Sequence, residues 1–163
     1  TKVFKDSINS IQPRPRTSLQ LILTIMEFVT EKVLNVFTNA ALERDLYDAC
    51  LSGDALFINE LIHKEPQLLN KELDSYGHKV LHLVTMNNFP DIVAYLISFR
   101  GLKINLTNKK GETALMLAAQ SGCRSITGLL LQRPDVFLNK QDDVGRTALH
   151  WACFNGHDDV AEM

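Results

Sequence analysis

Paired cysteines, membrane-length apolar runs, glycine-rich loops and a surplus of charge of either sign are all missing from this chain. Its three cysteines, Cys50, Cys123 and Cys153, are an odd number at wide spacing. That excludes a disulfide framework and a paired-cysteine zinc site, and it points to a reducing, intracellular setting, cytoplasmic or nuclear. The apolar stretch from Leu19 to Val29 carries Glu27 and runs into Glu31 and Lys32, so it is too short and too charged to cross a bilayer. The formal charge of −2 divides unevenly, because Lys2, Lys5, Arg14 and Arg16 face only Asp6 at the start and leave the remainder acidic. An acidic body offers no footprint for a phosphate backbone, which excludes nucleic acid as the expected partner. No secretory signal pattern is present and the first residue is Thr1 rather than methionine, so the chain is expected to be a fragment of a longer protein. A length of 163 residues leaves room for one compact domain or a short stack of repeats.

What is present begins with a linker. Pro13 and Pro15 break "SIQPRPRTS", so residues 1–18 read as linker or disordered, with Thr17 or Ser18 as a helix cap. Gln20, Thr24, Glu27, Glu31, Asn35 and Thr38 then recur every three or four residues. This is the polar stripe of an amphipathic helix over 19–38 with a broad apolar face. Two roles are open for it: covering the apolar end of whatever follows, or belonging to an upstream element.

Beyond residue 42 the chain repeats itself. Gly77, Gly111 and Gly145 are 34 positions apart, and Leu46, Leu81, Leu115 and Leu149 keep nearly the same step. Pairs of small or β-branched residues follow each leucine: Ala49 and Cys50, Val84 and Thr85, Ala118 and Ala119, Ala152 and Cys153. Gly53, Asn88, Gly122 and Gly156 then break the chain, and Asn70, Asn105 and Asn139 close a unit. Small residues one turn past a leucine suit a helix approached closely by a neighbour. Glycine or asparagine at its end takes the left-handed conformation that stops a helix. A second apolar segment, such as "PDIVAYLI" with Pro90 in the first turn, completes a helix pair.

These columns resemble the ankyrin repeat. "TALHWACFNGH" and "TALMLAAQSG" carry its landmarks most fully, "KVLHLVTMNN" less so, and "RDLYDACLSG" keeps the leucine, the Ala-Cys pair and the glycine. The resemblance implies an all-α ankyrin-repeat solenoid of stacked helix-turn-helix units with hairpin loops, preceded by the N-terminal helix. Four units are expected, at 42–73, 74–107, 108–141 and 142–163, the last truncated, with further repeats following. It also implies structural roles for Gly77, Gly111 and Gly145 in the hairpins, and for Thr113, Thr147 and His150 in hydrogen bonds within and between units. Trp151 and Cys153 then belong to packing columns, Cys153 as a small buried residue. Lys79 stands where threonine is usual and Met116 where histidine is usual, so those two hairpins are expected to lose part of the polar network and some rigidity. One additional residue between Asn70 and Leu81 enlarges the first hairpin.

No reaction chemistry emerges. His63, His78, His82, His150 and His157 are scattered without ligand spacing, and Ser75 lacks the preceding glycine of a nucleophile elbow. "QDDVG" reads as solvated loop charge, and "KKGETALM" lacks the glycines of a phosphate loop. No catalytic residue, metal or cofactor is expected, and no small-molecule substrate.

What remains is binding, and the ankyrin resemblance implies a protein partner on hairpin tips and first helices. Column by column it selects Ser75, Tyr76, His78, Met86 and Asn87 in the second unit, then Lys109, Lys110, Glu112, Gln120 and Ser121 in the third. The fourth contributes Asp143, Val144, Arg146, Phe154 and Asn155, with Arg146 placed to pair with a partner carboxylate. The expected function is a non-catalytic protein-interaction module. The alternative is a regulatory or targeting segment of a larger enzyme or membrane channel whose active domain lies elsewhere.

Overall fold

The computed structural model describes residues 18–163; the linker expected over 1–18 lies outside them except for Ser18, the first residue of a helix. The chain divides into two units, Thr1–Ala40 and Ala41–Met163. Helix α1 runs from Ser18 to Ser52, where the sequence pattern ends a helix at residue 38. Thr38, Asn39, Ala40 and Ala41 include no proline or glycine, so nothing in the backbone stops it there. It ends before Gly53, whose φ of 76° an L side chain resists. In the first unit Ile25, Met26, Phe28 and Val29 are exposed, and the Lys32 ammonium lies 4.7 Å over the Phe28 ring.

The second unit continues with α2 (Ala55–Lys64), a 3₁₀ turn (Pro66–Asn70), α3 (Val80–Met86), α4 (Pro90–Ile97), α5 (Ala114–Gln120), α6 (Arg124–Leu131), α7 (Ala148–Phe154) and α8 (Asp158–Ala161). Local chemistry accounts for these starts and stops. Asp54 accepts the Phe57 N–H at 3.0 Å to cap α2, Pro90 opens α4, and Thr113 and Thr147 cap α5 and α7. Asn88, at φ 57°, makes the turn that glycine makes in the other units; a short amide side chain tolerates the left-handed region.

Two layers result, with α5 packed against both α3 and α7, and α6 against both α4 and α8. The repeating columns form their core. Leu46, Leu81 and Leu115 are buried, as are Cys50, Thr85 and Ala119. Leu149 and Cys153 are exposed instead, contrary to the packing role their columns predict. In the earlier repeats these columns are covered by the unit that follows, and the described residues include no unit after the fourth. Trp151 is buried, as its column requires.

The closing asparagines lace the outer edge together. Asn70 donates to Gly101 O at 2.8 Å and accepts from Lys103 N at 2.9 Å. Asn105 repeats this with Asp135 O at 2.6 Å and Phe137 N at 2.8 Å. Each amide fills a backbone donor and a backbone acceptor in the next unit, which no shorter polar side chain could do at that reach.

Candidate partner-binding face

Each hairpin is built on one side-chain acceptor. Asp74 Oδ1 receives the N–H groups of Tyr76 and His78 at 3.0 and 2.9 Å. Asn108 Oδ1 receives those of Lys110 and Glu112 at 2.9 and 3.0 Å. Asp142 Oδ1 receives those of Val144 and Arg146 at 3.0 and 2.8 Å. This column was missed in the sequence, although "DSYG", "NKKG" and "DDVG" carry its signal: an Asx residue three positions before a left-handed glycine. Asp142 therefore departs from the solvated-charge reading. It is buried, and Arg146 Nε and the Trp151 indole N–H each donate to its Oδ2 at 3.1 Å. Burial alone would raise its carboxyl, but the Arg146 and Val144 amides and the Arg146 guanidinium hold it below the ordinary range.

Neighbouring hairpins join edge to edge through Lys109 N to Tyr76 O at 2.9 Å and Asp143 N to Lys110 O at 3.1 Å. Gly111, at φ 75°, admits this approach: a Cβ there would lie 2.8 Å from Asp143 N.

Of the two departures from the family pattern, Lys79 strengthens the network, while Met116 keeps only a local bond to Thr113. Lys79 is buried; its ammonium donates to Gly77 O and Thr107 O at 2.8 Å and to Glu72 at 3.1 Å. It thus ties its own hairpin to the next. Met116 is buried, and its sulfur accepts the Thr113 N–H at 3.4 Å. The inter-unit histidine role falls to His82, whose Nδ1 accepts from Lys79 N at 3.2 Å. Its Nε2 reaches Leu106 O and Glu112 O at 3.1 and 3.2 Å. Burial, with His78 and Lys79 nearby, pushes its pKa down to about 4. His150 makes only the local half of this pattern among the described residues, Nδ1 meeting Thr147 Oγ1 at 2.8 Å.

The residues selected for partner binding separate into two groups. Ser75, Tyr76, Met86, Asn87, Lys109, Lys110, Ser121, Asp143, Val144, Phe154 and Asn155 are exposed. His78 and Glu112 are not: both fold back beneath their hairpins. His78 pairs with Asp74 through Nδ1 at 2.7 Å. Asn108 Nδ2 lies 3.2 Å from His78 Nε2 and donates to Glu112 at 2.7 Å. Arg146, expected to await a partner carboxylate, is half-buried with its guanidinium 3.7 Å above the Trp151 ring. Gln120 is half-buried, its carbonyl taken by Asn155 and His157 at 3.0 and 3.1 Å. The Asn87 amide bonds Leu83 O at 2.8 Å.

Between the hairpins that carry Tyr76 and Lys109 lies a groove of about 380 Å³, lined by Tyr76, Met86, Lys109, Lys110, Glu112 and Leu117 among others. A second depression of about 240 Å³ is lined by Leu115, Thr127, Leu149, Ala152 and Met163 among others. Among the described residues no group of three His, Cys, Asp or Glu side chains could hold a metal ion. No helix among them is long and apolar enough to cross a membrane. The buried Cys50 thiol is pushed up to about 12 by desolvation, which makes it a poor nucleophile.

Comparison with known proteins agrees with this architecture. A family model of ankyrin repeats (3 copies) matches residues 46–142 and 101–163. The chain is 31% identical over 113 residues to the target of rapamycin complex 2 subunit AVO2 of Saccharomyces cerevisiae, covering 69% of this chain and 26% of that protein. It is 33% identical over 129 residues to the E3 ubiquitin-protein ligase XBAT32 of Arabidopsis thaliana, covering 76% of this chain and 24% of the ligase. It is 36% identical over 114 residues to the transient receptor potential cation channel subfamily A member 1 of Drosophila melanogaster, covering 66% and 9%. The chain thus spans about a quarter or less of the length of these relatives. A helix-pair repeat at this period, with its hairpins clipped edge to edge and its landmarks in register, makes this chain a member of the ankyrin repeat family.

Proposed function

We propose that the repeat unit is a non-catalytic protein-interaction module that receives a protein partner across its hairpin tips and the exposed edge of its first helices. One observation carries this reading. Tyr76, Met86, Val144 and Phe154 are 63%, 47%, 74% and 79% exposed on hairpins or first helices, in columns where folding needs no apolar side chain. Large apolar groups held out in water on a rigid frame mark contact surfaces. Ser75, Lys109, Lys110, Ser121 and Asp143 supply the polar surround, while Asn87, Gln120, Arg146 and Asn155 are tied to the frame and shape it.

Capture of partners from a lysate, followed by titration of the captured protein, tests the reading. Tyr76→Asp is expected to leave the circular dichroism unchanged and weaken binding by about 1–3 kcal/mol, the scale of an interface anchor. Ala94→Asp, on the exposed side of α4, serves as the control. Unchanged affinity in Tyr76→Asp and Phe154→Asp together contradicts the proposed face.

A second reading is favoured by the partial coverage of the relatives: the segment regulates or targets a larger protein. Two of the matched proteins carry a ligase or a channel in their names, and this chain aligns with only 24% and 9% of them. A catalytic or membrane-spanning domain in the intact transcript supports this reading, and further repeats alone contradict it.

A further inference from the structure

The groove between the hairpins that carry Tyr76 and Lys109 is chemically lopsided. One wall is apolar, formed by the exposed Tyr76 ring and the Met86 side chain, with Leu117 at its base. The other rim carries Lys109 and Lys110, both exposed. Neither ammonium forms an ion pair among the described residues, whereas Lys71, Lys79, Arg133 and Arg146 all do. Glu112 also lines the groove, but it is buried with its carboxylate bound to Asn108. The lysines are also held in place. Lys109 N donates to Tyr76 O at 2.9 Å, and Lys109 Cγ lies 3.0 Å from where a Cβ on Gly77 would stand, so its aliphatic stem lies along the neighbouring hairpin. The acidic residues Asp45, Asp48 and Asp54 gather in a separate depression of the first repeat. Two exposed ammonium groups without an ion pair therefore stand at the rim of this groove, in a chain of net negative charge.

We infer that this groove takes an acidic polypeptide segment that seats a large apolar side chain against Tyr76 and Met86 and lays adjacent carboxylates on Lys109 and Lys110. The inference rests on the interaction reading above and adds the partner's chemistry to it. Two uncompensated ammonium groups beside a half-dry apolar wall favour carboxylates over ammonium groups through complementarity, and the apolar wall sets their register. A segment with basic flanks meets like charge at the rim and is rejected, which is where the selectivity of the groove originates.

The test uses ¹⁵N-labelled chain and three synthetic peptides of equal length: leucine flanked by glutamates, leucine flanked by lysines, and glutamates without leucine. At millimolar peptide the first is expected to shift the amides of Tyr76, Met86, Lys109 and Lys110, while the lysine peptide leaves them in place and the leucine-free peptide shifts them less. Lys109→Glu with Lys110→Glu, at exposed positions that circular dichroism should show folded, is expected to weaken the first peptide by about tenfold or more. Equal shifts from both leucine peptides, shifts confined to another surface, or equal binding by a polyanion such as heparin overturn the assigned chemistry. So does the absence of any shift. The interaction reading fails on a different result: captured protein partners that bind Tyr76→Asp and Phe154→Asp as tightly as the unaltered chain.

Discussion

Protonation of His82 should loosen the stack from within. The neutral ring uses both nitrogens: Nδ1 accepts from Lys79 N, and Nε2–H donates towards Leu106 O and, in the next unit, Glu112 O. A second proton turns Nδ1 into a donor facing another donor, inside a site where the residue is 1% exposed. Folding accordingly moves its pKa from 6.5 down to about 4. Between those values the unfolded chain binds a proton that the folded chain refuses, so stability is whole above about 6.5 and declines as pH falls towards 4. At about 1.4 kcal/mol per pH unit, the loss is about 2 kcal/mol by pH 5 and about 3 kcal/mol by pH 4. Asp74 and Asp142 are held below 3.8; their contribution is lost only at lower pH and does not enter this window. Urea denaturation of the unaltered chain and of His82→Met isolates the effect, because methionine already fills this column at Met116 with its sulfur on the capping N–H. The variant loses both Nε2 bonds, one of them to the next unit, and is expected to be about 1–3 kcal/mol less stable at neutral pH. That gap should close by about 2 kcal/mol on going to pH 5. A gap that stays constant with pH, or a His82 ring that titrates near 6.5 in proton NMR, refutes the reasoning.

Other consequences follow from the hairpin frame. Lys79→Met removes the ammonium from Gly77 O and Thr107 O and should cost about 1–3 kcal/mol in denaturant titration, with Lys79→Thr losing less because a threonine there can cap α3. Asp142→Ala strips the acceptor from two backbone N–H groups and from the indole. It should destabilise by about 2–3 kcal/mol and alter the emission of Trp151, the single tryptophan; unchanged fluorescence would contradict the indole bond. Gly111→Ala forces a side chain at φ 75° into Asp143 N and should lower stability by about 1–3 kcal/mol, measured by thermal unfolding.

The architecture was legible because it repeats. Gly77, Gly111 and Gly145 could be placed in hairpins, and Leu81 and Leu115 in the core, from spacing and the family resemblance. What spacing could not convey was the direction of long polar side chains. Lys79 looks like a lost threonine in sequence, yet its reach lets one ammonium satisfy carbonyls on two hairpins. His78 and Glu112 sit at tip positions but turn inward because Asp74 and Asn108 offer partners there. Leu149, His150 and Cys153 obey their columns in type and depart from them in burial and bonding, since a column is completed by the unit beyond it. The α1 boundary was misplaced because a polar stripe does not mark where a helix ends, and no proline or glycine interrupts the chain between Thr38 and Ser52.

The most direct test of the account is site-specific photo-crosslinking in cells, with a benzophenone side chain placed at Met86 on the proposed face and, separately, at Ala94 on the exposed side of α4. The account predicts covalent adducts with a discrete protein from position 86, abolished by Tyr76→Asp, and none from position 94. Adducts from position 94 alone, or from neither position, would contradict a partner-binding face on the hairpins and first helices.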